Sequence, residues 1–300
     1  MEHLDQRTIK FLENCKGSDA KEKKISFVRE TPWIMHREVE KVWAKMEEIF
    51  EHPRSHRMRD LNIVARSNNG KTTLLRRFAK AHLATLDEHS GQLIAPVIAT
   101  VMPHDPTEIL FVNALLNSVQ LTIKRTDTFA SKLEQLYHSL ERIDCKVILI
   151  DEIQHIAAGT SREQHLMVNM MKNISSILQV SFIVAGAPSA LNIFSFDDQF
   201  KNRFLPAVIP TWSEGEELES LLASFEALLP LEEPSDLASD DMIRYVLTNT
   251  DRTIGNMYEL LRDATVYAIK NNQHKLTISL LDKCGHMSPQ KIEAEKRKII

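Results

Sequence analysis

Apolar residues recur at helical spacing near the start of the chain. In REVEKVWAKMEEIFEH, Val39, Val42, Trp43, Met46, Ile49 and Phe50 fall on one stripe, and residues 1–60 read as amphipathic helix. The pattern then changes. LNIVA (61–65), LIAPVIATVM (93–102), KVILID (146–151), VSFIVAGA (180–187) and PAVIPTW (206–212) are short apolar runs without clean alternation. Strands of a parallel sheet, covered on both faces, read like that. Helical stretches at 71–89, 107–123, 128–143 and 162–178 lie between them. Strand and helix in alternation predict an α/β layered domain with a parallel sheet. After Trp212 the strands stop, and residues 213–284 predict a small all-helical domain.

Composition narrows the partners. Net charge is −4 and the chain is 43% hydrophobic and 26% charged, so it is not a polybasic nucleic-acid binder as a whole. Any such contact must come from a local patch. Cys15, Cys145 and Cys284 are dispersed, which predicts reduced thiols in a cytoplasmic protein and no zinc site. His52 and His56 lack further ligand types nearby and read as surface histidines. No apolar run is long enough for a membrane span, and the charged N-terminus is no signal peptide. Ten carboxylates lie between Glu214 and Asp241 with no Lys or Arg among them, as on a solvated helix face.

Candidate chemistry begins at ARSNNGKTT (65–73). A phosphate-binding loop has the pattern Gly-x-x-x-x-Gly-Lys-Ser/Thr between a strand and a helix. Here Ala65 replaces the first Gly, and the strand LNIVA and helix KTTLLRRFAKAHLATL flank the loop as required. Gly70 lets backbone approach phosphate, Lys71 reaches the β- and γ-phosphates, and Thr72 ligates Mg²⁺. Asn68 and Asn69 can adopt left-handed backbone almost as readily as Gly. Ala65, Ser67, Asn68, Asn69, Gly70, Lys71, Thr72 and Thr73 are therefore the expected contacts of ATP with Mg²⁺. VILIDE (147–152) supplies the second motif, an apolar strand ending in two acids. Asp151 is expected to hold Mg²⁺ through water, and Glu152 to polarise the attacking water. DEIQH is close to the Asp-Glu-x-His of helicases, with its His one residue later, but those need a second sheet domain, and the C-terminal third is helical.

Further features point to the AAA+ class. VSFIVAGAP is expected beside the acid-bearing strand, with a polar group that senses the γ-phosphate. Arg203, just before the fifth strand, stands where such proteins carry an arginine finger; a plain salt bridge is the other reading. TIG (253–255), with Gly255, marks the second sensor region of a helical lid. The implied fold is a P-loop AAA+ three-layer α/β/α core with a parallel sheet, an N-terminal helical extension and a small C-terminal all-helical lid. Its expected bounds are 1–55 for the extension, 56–212 for the core, 213–285 for the lid and 286–300 for a basic tail.

The segment RETPWIMHREVEKVWAKMEEIFEHPRSHRMRDLNIVARSNNGKT resembles the TniB/TnsC family of AAA+ transposition regulators. The shared residues are Pro32, Trp33 and Ile34, His52-Pro53, Arg57-Met58 and Ser67–Thr72. IDEIQH, FKNRFLPAVIPTW and TIGNMYELLRDA fit later family blocks, so the likeness spans about residues 25–270. It implies ATP-driven assembly of a ring or filament on duplex DNA, without sequence preference, that links a target-selecting protein to a transposase. Hydrolysis would end the assembly. It also implies that Lys71, Thr72, Asp151 and Glu152 carry the nucleotide chemistry in a bacterial cytoplasmic protein. Trp33 and Ile34 would pack against adenine, unless Trp33 instead anchors the N-terminal helix.

Three departures stand out. Ala65 replaces a Gly, Ala187 with Ser189 nearby replaces the sensing Thr or Asn, and Tyr258, with Arg252 and Arg262 nearby, replaces a sensing Arg. Weak sensors predict slow hydrolysis, suited to a timer. For DNA, the resemblance points to the region after the second strand, with His104, Thr107, Lys124, Arg125 and Thr126 as phosphate contacts. Arg54, Arg57, Arg59, Arg66, Lys71, Arg76, Arg77 and Lys80 form a local basic cluster, expected to face the nucleotide phosphates in part and solvent or a neighbouring subunit in part. A replication-type helicase or clamp loader, or a nucleotide-binding scaffold without turnover, are the alternative functions at this stage.

Overall fold

A computed structural model describes residues 3–30, 33–122, 124, 126–194, 202–287, 295 and 297. Two compact units result, one of Glu38–Pro210 and one that combines Met1–Arg37 with Thr211–Ile300. In chain order the first elements are α1 (Gln6–Asn14), α2 (Ala20–Arg29), α3 (Arg37–Glu51), β1 (Asp60–Val64), α4 (Lys71–Ala81), β2 (Thr85–Leu86), β3 (Leu93–Ile94) and β4 (Val97–Val101). Next come α5 (Glu108–Ser118), α6 (Phe129–Arg142), β5 (Val147–Asp151), a 3-10 turn (Ile153–Ala158), α7 (Ser161–Leu178), β6 (Ser181–Gly186), α8 (Ala190–Ile193) and β7 (Phe204–Val208). The helical end holds α9 (Glu216–Leu228), α10 (Asp240–Asn249), α11 (Ile254–Lys270) and α12 (Ile278–Lys283).

The first unit is built on a parallel sheet of order β4-β5-β6-β1-β7. Every residue of β1, β5 and β6 is buried, as expected for strands covered on both faces. The apolar run 93–102 splits at Ala95-Pro96: Leu93–Ile94 pairs antiparallel with Thr85–Leu86, and only Val97–Val101 joins the main sheet. The helix expected over 71–89 therefore stops at Ala81. β7 begins two residues before the expected PAVIPTW run, and its Pro206 is tolerated because β7 is an edge strand. Thr160 and Glu163 form a reciprocal capping box that starts α7.

The two halves of the expected N-terminal extension belong to different units. α3 lies with the sheet: Trp43 and Phe50 meet the buried Phe78 of α4 edge-on, at ring separations of 5.3 and 6.3 Å. α1 and α2 lie with the C-terminal helices. The Asp5 N–H donates to the Ala227 carbonyl at 3.0 Å. Val28 is buried among Leu222, Phe225 and Leu261, and Ile34 packs against the same cluster. The Tyr258 hydroxyl donates to the carbonyls of Val28 (2.7 Å) and Glu30 (2.9 Å) at the end of α2. Burial pushes this phenol up to about 12, so it stays a donor. The position expected to hold a sensing Arg is thus occupied by a tyrosine that fastens α2. The acidic run is partly structural too: the Glu226 carboxylate accepts from the N–H groups of Ser235 (2.6 Å), Asp236 (3.2 Å) and Leu237 (2.8 Å).

The structure corrects the arginine-finger expectation for Arg203. A finger must reach a neighbouring subunit, but this guanidinium is 6% exposed. Its Nε donates to Asp60 Oδ2 at 2.6 Å, and Nη2 donates to Ser175 Oγ. Asp60 Oδ1 accepts from the Phe182 N–H at 2.7 Å. The network joins the beginnings of β1, β6 and β7 to the end of α7, at the sheet edge away from the phosphate loop. Burial raises the Asp60 carboxyl above the ordinary range, while Arg203 and the Phe182 N–H pull it down. Arg203→Ala is expected to cost about 3–5 kcal/mol, because it leaves a buried carboxylate unpaired. Urea unfolding followed by circular dichroism reads this directly. An unchanged midpoint, together with lost ATP turnover, would restore the finger.

Candidate nucleotide site

β1 ends at Val64, and the next residues turn into α4 through the expected loop. Ala65 is 2% exposed, so its methyl group is absorbed by the interior, and its N–H donates to the Gly186 carbonyl at 3.2 Å. The two asparagines divide the work. Asn68 takes the left-handed backbone at φ 59°, and Gly70 does so at φ 85° as the residue that caps α4. Asn69 is buried, and its Nδ2 donates to the carbonyls of Ile209 (3.3 Å) and Pro210 (2.9 Å). This ties the loop to the chain leaving β7. Ser67 and Thr73 are exposed, at the loop crest and in the first turn of α4.

Lys71 is buried, and its ammonium donates to the carbonyls of Ala65 and Arg66, both at 2.9 Å. Burial lowers its pKa, and the nearby Glu152 and Asp151 carboxylates oppose that shift. Thr72 Oγ1 donates to Asp151 Oδ2 at 2.6 Å, and Asp151 Oδ1 accepts from the Glu152 N–H at 2.9 Å. A hydroxyl and a carboxylate in contact are a hard-oxygen pair. Mg²⁺ held mainly by substrate phosphates and water needs little more from a protein, so the residues fit that ion. The loop, Lys71, Thr72, Asp151 and Glu152 are therefore brought together in the sheet unit. Trp33, Ile34 and Gly255 lie in the helical unit, Gly255 in the first turn of α11.

The family described as "Bacterial TniB protein" matches residues 24–214, more than half of the chain. The chain belongs to the TniB family. The TniB-family chain has no match among curated proteins. Its fold is similar to that of Aeropyrum pernix ORC2 protein in ADPNP-ADP complexes, with a TM-score of 0.60 at 15% identity, over 91% of this chain and 74% of that one. Aeropyrum pernix ORC1 protein in complex with DNA gives 0.58 at 15%, over 87% and 68%. Domain III of the Thermotoga maritima replication initiation protein DnaA gives 0.51 at 16%, over 84% and 93%. At these identities the likeness speaks to fold. By fold and family this TniB-family chain is an AAA+ ATPase.

The expected DNA residues fall beyond opposite ends of α5. His104 and Thr107 precede it, whereas Lys124 and Thr126 are exposed in the segment after it. Arg125 lies outside the described residues. His104 lies against His155, with ring centroids 4.0 Å apart and planes tilted by 36°, and His155 Nδ1 donates to the Met102 carbonyl at 2.8 Å. Within the basic cluster Arg54 pairs with Asp144 and Arg59 with Glu48, while Arg66, Arg76, Arg77 and Lys80 are exposed around the loop and α4.

Sequence reading of this TniB-family chain missed Gln154. Its Oε1 accepts from the Ala187 N–H at 2.9 Å, and its Nε2 donates to the Glu152 carboxylate. A polar residue just past the acid pair, opposite a Gly-Ala strand end, was the available signal. Gly186 makes room for it: a Cβ there would lie 2.7 Å from Gln154 Oε1 and from Ile153 Cγ2. Gly186→Ala is expected to destabilise the sheet unit by about 1–3 kcal/mol. Thermal unfolding checks this; an unchanged Tm would mean the turn shifts at no cost.

Proposed function

We propose that this protein is an ATP-dependent, DNA-binding regulator of DNA transposition. It assembles on duplex DNA as a ring or filament, couples a target-selecting protein to the transposase, and disassembles on ATP hydrolysis. The family match over residues 24–214 carries this reading. The joint placement of the loop with Thr72, Asp151 and Glu152 supports the chemistry. Lys71 would exchange its carbonyl partners for the β- and γ-phosphates, and Thr72 and Asp151 would hold Mg²⁺. Glu152 would take a proton from water as the water oxygen bonds to the γ-phosphorus. The bond from that phosphorus to the bridging oxygen breaks, releasing ADP and phosphate. Trp33 and Ile34 remain the proposed adenine contacts, and His104, Thr107, Lys124, Arg125 and Thr126 the proposed phosphate contacts on DNA.

DNA-bound assembly, measured by electron microscopy and sedimentation with ATP, ADP and no nucleotide, tests the reading. ATP alone is expected to support assembly, and its salt sensitivity should reflect phosphate contacts. Lys71→Ala should weaken ATP binding on the order of 100-fold and abolish assembly. Glu152→Gln should assemble and persist, without releasing phosphate. Assembly indifferent to nucleotide would refute the proposal.

A further inference from the structure

Ala187 leaves the end of β6 without the polar side chain expected there, and the structure fills the gap from the neighbouring strand. Gln154 stands in the 3-10 turn that follows β5. Its two hydrogen bonds fix which way the amide faces. The Ala187 N–H can only donate, so it faces Oε1, at 2.9 Å. Nε2 must then face the other way, and there it donates to Glu152 Oε2. The group receiving that bond is held unusually. Glu152 has left-handed backbone at φ 56° and ψ 37°, a conformation unfavourable for a residue that carries a Cβ. That backbone and the amide together set where the carboxylate points. The clearance at Gly186 belongs to the same arrangement, since a Cβ would strike the amide oxygen.

We infer that Gln154 is the positioning residue for Glu152: anchored on the Ala187 N–H at the end of β6, its amide orients the carboxylate and supplies the polar group that residue 187 lacks. This rests on the ATPase reading of the site. Gln154 touches the acid, not the nucleotide, so its removal should affect turnover more than binding.

Steady-state ATP hydrolysis, ATP calorimetry and thermal unfolding of the full chain test the inference. Gln154→Ala is expected to lower kcat on the order of 10- to 100-fold, with KM, ATP affinity and Tm close to wild type. Ala187→Asn in the Gln154→Ala background should recover part of that loss, by returning an amide to the same spot. Wild-type kcat in Gln154→Ala would overturn the inference. So would kcat and Tm falling together without rescue. In each of those cases Glu152-dependent turnover by the wild type leaves the proposed function standing. If the wild type releases no phosphate that depends on Glu152, the proposed function and this inference fall together.

Discussion

Parallel registry of β1, β5 and β6 is the constraint on which the site depends. Val64 pairs with Gly186, and Ile150 pairs with Val184, so the loop leaving β1, the acids ending β5 and the turn leaving β6 emerge at one sheet edge. The hydrogen bond from Thr72 to Asp151 then joins two segments far apart in sequence. A slip of one residue would turn Asp151 to the opposite face and part it from Thr72. Complete burial of the three strands enforces the register, because any slip would rearrange every buried side chain.

Much of this edge was legible because its signals are local. Gly70, Lys71 and Thr72 follow a run that could only be a strand, and VILIDE ends in its acids. Ala65 departs from the loop pattern, and its buried methyl shows how the interior accommodates it. What escaped depends on contacts between distant segments. Arg203 carries no mark that separates a finger from a buried pair; its partner Asp60 lies 143 positions away. Tyr258 reads as a missing sensor until its two carbonyl acceptors, 230 and 228 positions away, are seen. Gln154 sits in a familiar motif, yet its role depends on an Ala just past the end of another strand. Residues 1–55 present one periodicity, and periodicity does not say which core a stripe will cover.

The sheet treats its two edges differently. At the loop edge, polar groups are few and directed at one another: Lys71 at carbonyls, Thr72 at Asp151, Gln154 at Glu152. At the other edge, Asp60, Arg203 and Ser175 form a closed buried network. A buried ion pair adds little net stability over apolar packing, but it penalises every arrangement that leaves one partner alone. Here such an arrangement would be a misplaced β7, the strand whose exit holds Asn69.

The helical unit is assembled from both ends of the chain, with Tyr258 holding the end of α2. Neither Met1–Arg37 nor Thr211–Ile300 carries its complete core. α1 and α2 are synthesised before the sheet unit and α11 after it, so the pieces of the helical core are made far apart in time. No cut at a single point can therefore release the helical unit as one uninterrupted fragment.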